Sequence, residues 1–150
     1  MGANVTGHKV GDRVIAHVIH GAMAEKAVCP AALAFPLPDG VEFDAAAAMG
    51  LAYLTGYIAL TRRGAMQPGE VVMINGASGG VGLASVSLAK ALGASVVLAG
   101  LTTPSKGDAV KAAGADAIID LTVDDLKDNL RAQVTDCLLY TSPSPRDVEE

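Results

Sequence analysis

The residues whose types and spacing point most directly to chemistry are Ala77-Ser78-Gly79-Gly80-Val81-Gly82, between an expected strand, Val71 to Asn75, and a helix-forming stretch that begins at Val81. A glycine-rich turn leading from a strand into a helix is the arrangement that holds the pyrophosphate of a dinucleotide. The helix N-terminus supplies unpaired N–H groups and a partial positive charge, so the anion needs no basic patch. Gly79 lets the backbone approach the phosphates, and Gly82 lets the helix pack against the strand. Ala77 stands where the usual fingerprint has its first glycine, so the match is A-x-G-x-x-G. The plain alternative is a tight turn with no ligand, and the repeating strand and helix units around it weigh against that.

An NAD site usually has an acidic residue about 20 positions further on, bonded to the ribose 2'-hydroxyl. Between Val71 and Gly107 there is none. The second strand leads instead into Thr102, Thr103, Ser105 and Lys106, which offer hydroxyls and one positive charge to a 2'-phosphate. NADPH is therefore the expected cofactor. For Lys106 the plain alternative is a solvated surface lysine.

Other candidates are weaker. His17 and His20 have an odd spacing that puts them on opposite faces of a strand, so they do not chelate one ion. Cys29 reads as a small buried hydrophobe. No metal site is expected, and no catalytic acid can be named. Tyr53 and Tyr57 read as packing residues.

The elements that must position the turn follow from pattern. Pro68-Gly69 turns the chain into strand Val71 to Ile74, an apolar run of the kind buried on both faces. After it come a helix over Val81 to Leu92, a strand over Ser95 to Ala99, a helix over about 104 to 113, a strand over Ala117 to Ile119 and a helix over about 123 to 133. Strand and helix in alternation predict an α/β fold with a parallel sheet. On the first helix Val81, Ala84, Leu88 and Ala91 form the expected apolar stripe. Upstream, Val14 to Val28 reads as short antiparallel strands, followed by breaks at Pro36, Pro38 and Gly40. Asp44 is the expected N-cap of Ala45 to Arg63, which Gly50 divides into two helices and Gly64 ends.

The whole chain has 150 residues, a net charge of −5, 51% hydrophobic residues and 3% aromatic. That balance excludes a disordered tail and offers no footprint for nucleic acid or an anionic membrane surface. The stretch Ala45 to Leu60 falls short of the roughly 18 apolar residues of a membrane span. No secretory signal is read, and the reducing cytoplasm is the expected compartment. A myristoylation pattern at Met1-Gly2 and a sequon at Asn4-Val5-Thr6 are short enough to arise by chance.

With Gly11-Asp12-Arg13-Val14, Pro38-Asp39-Gly40, the Ala45 to Ala48 run, Leu54-Thr55-Gly56-Tyr57, Pro68-Gly69-Glu70 and Ala77 to Gly82 in this order, the chain resembles the zinc-free quinone oxidoreductase branch of the medium-chain dehydrogenase/reductases. The resemblance covers about residues 5 to 136. It implies the C-terminal part of a GroES-like β domain over 1–43 and the first half of a Rossmann-type parallel sheet over 44–136. It also implies NADPH-dependent hydride transfer to a small molecule, a quinone or activated alkene. Thr55 and Val81 would line the nicotinamide pocket, while Ser78, Gly79, Gly80 and Gly82 would meet the pyrophosphate. Thr102 and Lys106 match adenosine-phosphate positions. Leu121 departs from the polar or aromatic residue usual there, and the cysteine-rich lobe of zinc-dependent relatives does not follow Gly11 to Val14. Without the resemblance, Thr55 is equally an ordinary helix residue bonded to its own backbone.

Alternatives are an enoyl-thioester reductase and a non-enzymatic nucleotide-binding fragment; the parent protein is open to homo-oligomer formation. Cys137 to Asp147 resembles, residue for residue, one translated frame of a transposase-type sequencing adapter. Residues 137–150 are accordingly expected to be an artefactual tail and are left out of the fold expectation.

Overall fold

A computed structural model of the chain describes residues 1–123 and Leu130. The helix expected at about 123–133, those two residues apart, and the segment 137–150 lie outside the described residues. The described residues divide into two compact units, Met1–Leu54 and a second that begins at Thr55.

In the first unit β1 (Val14–Ala16) pairs antiparallel with β2 (Ala34–Pro36), with Ile15 opposite Phe35. The strand content is smaller than expected, and the partner of β1 lies at the prolines rather than within 17–28. His17 and His20 therefore sit beyond the strand, both exposed, and the face argument does not apply to them. Arg13 links the Gly11 to Val14 turn to the following helix: its guanidinium donates to the Val41 carbonyl and lies 4.6 Å from the centre of the Phe43 ring.

The helix α1 (Phe43–Ile58) starts before Asp44, whose Oδ1 accepts the Ala45 N–H at 2.7 Å from within the first turn. It runs unbroken through Gly50. A mid-helix glycine costs only about 1 kcal/mol, which the flanking alanine and leucine residues outweigh. α1 continues into a π turn, Ala59–Arg63, closed by Gly64 N–H to Ala59 O at 2.7 Å. Gly64 has φ −78°, and the left-handed residue after the helix is Ala65, φ +48°. Taken together, Phe43–Arg63 makes a helical run of 21 residues with mean hydropathy 1.3, long and apolar enough to cross a membrane by length and composition alone. The expectation that no segment reaches that threshold is corrected, because it rested on the shorter stretch ending at Leu60.

The second unit carries the parallel sheet: β3 (Val71–Asn75), β4 (Val96–Leu101) and β5 (Ala117–Asp120), in the order 3-4-5. Val71 faces Val96 and Leu101 faces Asp120, so all three strands end together. Between them stand α2 (Gly80–Ala91) and α3 (Gly107–Ala112). Alternation along β4 splits the core: Val97, Ala99 and Leu101 pack with Val86, Ala89 and Val110, while Leu98 joins Ile119 on the opposite face. Of the β3 apolar run only Ile74 is buried, contrary to expectation, because among the described residues β3 pairs on one side alone.

The buried face of α2 runs Gly82, Ser85, Val86 and Ala89, with Ala84 also buried. Val81 and Ala91, expected on that face, are exposed. The stripe is turned by about one residue, 100° of a 3.6-residue helix, because Gly82 must face the preceding turn. At the far end Lys90 donates to Asp116 at 2.8 Å, and Asp116 accepts the Val97 N–H at 2.7 Å, tying α2, β4 and the approach to β5.

Candidate functional site

The ends of β3 and β4 build the turn. Gly76 adopts φ +66°, a left-handed conformation that suits glycine, and its carbonyl accepts the Gly79 N–H at 3.0 Å. The Ala77 N–H donates to the Gly100 carbonyl at 3.2 Å, fastening the turn to the neighbouring strand. Ala77 is fully buried in the core, so its methyl group packs and does not face a ligand. That is how alanine replaces the first glycine of the fingerprint.

The three following glycines separate by role. A Cβ on Gly82 would collide with the Gly76 carbonyl oxygen and stand 2.7 Å from Ala77 Cα. A Cβ on Gly79 would meet only the Gly76 oxygen, at 3.4 Å, and one on Gly80 would meet nothing within 4 Å. Gly82 is thus fixed by packing, whereas Gly79 and Gly80 are exposed with free space above their backbone. The first helical bond of α2 is Leu83 N–H to Gly79 O at 2.8 Å, leaving the amides of Gly80, Val81 and Gly82 with no acceptor among the described residues. The first turn of α2 holds no carboxylate. An open backbone cradle with three donor amides and no negative charge fits a pyrophosphate.

Ser78 is half-buried beside the cradle, and Val81 is exposed on the first turn of α2. Thr55 lies exposed on the last turns of α1. Thr102, Thr103, Ser105 and Lys106 are all exposed in the segment leaving β4, with the Lys106 N–H bonded to the Thr103 carbonyl at 3.1 Å just before α3. The cradle and this segment both stand at the carboxyl ends of parallel strands, where ligands bind in open α/β sheets.

Sequence reasoning missed two features. Gly100 has no room for a side chain: its Cβ would stand 2.6 Å from Asn75 Oδ1 and 3.1 Å from Leu121 Cδ1. The other is Asp120, opposite Leu101, whose Oδ1 accepts the Thr122 hydroxyl at 2.6 Å and the Thr122 N–H at 2.8 Å. Those two bonds hold its carboxyl below the usual range. The Asp-x-Thr spacing was the available signal. Tyr57 is exposed, Tyr53 half-buried and Cys29 half-buried with a free thiol. Among the described residues no three His, Cys, Asp or Glu side chains gather to hold a metal.

No family model matches the chain. It is 38% identical over 138 residues to a quinone oxidoreductase-like protein 2 homolog of Nematostella vectensis, covering 91% of this chain and 37% of the relative. A quinone oxidoreductase from Thermus thermophilus, solved also in complex with NADPH, superposes with a TM-score of 0.67 at 37% identity, over 73% of this chain and 36% of that one. These relatives and structural neighbours are quinone oxidoreductases of the medium-chain dehydrogenase/reductase family, which agrees with the resemblance read from the sequence. The CurK enoyl reductase matches with a TM-score of 0.77 at 30% identity, over 88% of this chain and 39% of that one. The chain spans a little over a third of the length of these three proteins. Structural neighbours are two-domain enzymes with a Rossmann half, and the three parallel strands described above match the expected first half of a Rossmann-type sheet.

Proposed function

We propose that the protein carrying this chain is an NADPH-dependent oxidoreductase that reduces a quinone or another activated alkene. The cradle formed by Gly76 to Gly82 carries the reading: open backbone at Gly79 and Gly80, three donor amides and no carboxylate. In this reading Ser78 and the amides of Gly80, Val81 and Gly82 bind the pyrophosphate, the open backbone at Gly79 lets it approach, and the buried methyl of Ala77 anchors the turn. Thr102 and Lys106 hold the 2'-phosphate at the end of β4. Thr55 and Val81 form one wall of the nicotinamide pocket and orient the ring. The bound cofactor supplies the hydride, while the protein supplies position and electrostatics.

The likeness to a quinone oxidoreductase solved with NADPH supports both the cofactor and the acceptor class. The likeness to an enoyl reductase keeps an enoyl-thioester acceptor as the second reading. A zinc-free, cytoplasmic enzyme is part of the proposal, resting on the lone cysteine of residues 1–136. The test is NADPH oxidation by the full-length protein, followed by absorbance, with benzoquinone in one arm and crotonyl-CoA in the other. Turnover of benzoquinone is expected; turnover of crotonyl-CoA alone would favour the second reading, and turnover of neither would reject both. Metal analysis of the same preparation checks that zinc is absent.

A further inference from the structure

Gly56 is buried, and the place its Cβ would occupy lies 2.6 Å from the Ser85 hydroxyl oxygen, 3.3 Å from Leu88 Cδ1 and 3.4 Å from Ser85 Cα. The first distance is closer than a side-chain carbon tolerates, so glycine is what allows the last turns of α1 to seat on α2. Ser85 is only 8% exposed, and its hydroxyl donates to the Val81 carbonyl at 2.8 Å, one turn back on its own helix. That bond fixes the oxygen against which Gly56 rests. Thr55 adjoins Gly56 in the chain, and Val81 is tied to Ser85, so the contact couples the two residues assigned to the nicotinamide wall.

We infer that Gly56 and Ser85 are positioning residues, setting the depth at which Thr55 stands against the first turns of α2 and so the shape of the nicotinamide end of the cofactor site. The inference rests on the NADPH reading above. It concerns ring placement more than grip, since the atoms a Gly56 Cβ would meet belong to Ser85 and Leu88 and none to the turn from Gly76 to Gly82.

The test uses NADPH with the full-length protein and records the nicotinamide emission of the bound cofactor beside its dissociation constant. Gly56→Ala is expected to change the bound emission at least about twofold while Kd moves by less than about threefold. Ser85→Ala removes the oxygen at 2.6 Å and leaves the nearest remaining atoms at 3.3 and 3.4 Å. The pair Gly56→Ala with Ser85→Ala is therefore expected to restore the emission of the unsubstituted protein, a coupling that a double-mutant cycle isolates. Emission unmoved by Gly56→Ala, or unrestored in the pair, overturns the inference. If Gly56→Ala alone does not fold, the pair decides: folding with normal emission supports the inference, and failure to fold overturns it. No emission or affinity change on mixing NADPH with the unsubstituted protein would instead remove the cofactor reading, and this inference with it.

Discussion

Gly82 lies so close to Gly76 that a side-chain carbon on the first would fall on the carbonyl oxygen of the second, with Ala77 Cα and C at 2.7 and 2.8 Å. The obstacle is backbone, which cannot swing aside as a side chain can. Gly82→Ala is expected to destabilise the fold by about 1–3 kcal/mol, the usual range for overpacking. Urea unfolding measures it, and a loss under about 0.5 kcal/mol, the level of a neutral surface change, would show that the turn adapts freely.

That packing demand shows what was readable in the sequence and what was not. The parallel order of β3, β4 and β5 follows from alternating apolar runs and breakers, and the fingerprint spacing alone separates the role of Gly82 from that of Gly79. The rotation of α2 did not show, because Val81 and Ala91 are no less apolar than Gly82, Ser85 and Ala89, which are buried beside them. Only the contact of Gly82 with Gly76 decides the angle. Gly50 misled for the opposite reason: its local preference argues for a break, but one glycine is outweighed by the helix around it. The needs of Gly56 and Gly100 arise from contacts with Ser85 and Asn75, distant in sequence, which no local pattern reports.

Gly79 and Gly80 should behave in the reverse way to Gly82. Gly79 has an extended backbone, φ −81° and ψ 167°, which a branched residue adopts readily. Gly79→Val is expected to keep the thermal midpoint of the full-length protein within a few degrees while weakening NADPH by about tenfold or more, 1.4 kcal/mol. Titration with NADPH decides the matter, and unchanged affinity would refute the pyrophosphate assignment.

Ala65 holds a left-handed conformation, φ +48°, directly after the π turn. Its carbonyl accepts the Gln67 side-chain amide at 2.8 Å, which helps hold it there. An L-residue in this region costs roughly 1–2 kcal/mol, partly offset in glycine by the greater freedom of the unfolded chain. Ala65→Gly is expected to stabilise by about 0.5–1 kcal/mol, seen as a raised thermal midpoint. A lowered midpoint would contradict the strain.

Asp116 makes the stability depend on acidity. Partial burial alone would raise its carboxyl, but the hydrogen bond from Lys90, the Val97 amide and the Lys90 charge together hold it below its ordinary value. A depressed carboxyl contributes stability above its unfolded value, near 3.9, and loses it as pH falls through the lower folded value. Asp116→Asn keeps an acceptor for Val97 but removes the charge. It is expected to cost about 0.5–1 kcal/mol at neutral pH, the pair being partly exposed and screened, and to flatten the acid limb of the stability curve below about pH 4. An unchanged acid limb would show that the ion pair is idle.

Lys106 tests the choice between the two nicotinamide cofactors. The segment leaving β4 presents Thr102, Thr103, Ser105 and Lys106 to solvent and contains no carboxylate before Asp108. A 2'-phosphate there gains a charge-assisted bond that a 2'-hydroxyl cannot match. Asp120, ionised and bonded to Thr122 at the end of the adjacent strand, opposes that gain through its own negative charge. With the lysine exposed, its net worth is about 1 kcal/mol, close to fivefold in affinity. Lys106→Ala in the full-length protein should therefore weaken NADPH about fivefold and leave NADH nearly unchanged. Asp120→Asn should shift the preference the other way, tightening NADPH more than NADH, because it removes only the repulsion. Equal losses for both cofactors in Lys106→Ala, or an unsubstituted protein that prefers NADH, would place the 2'-phosphate elsewhere.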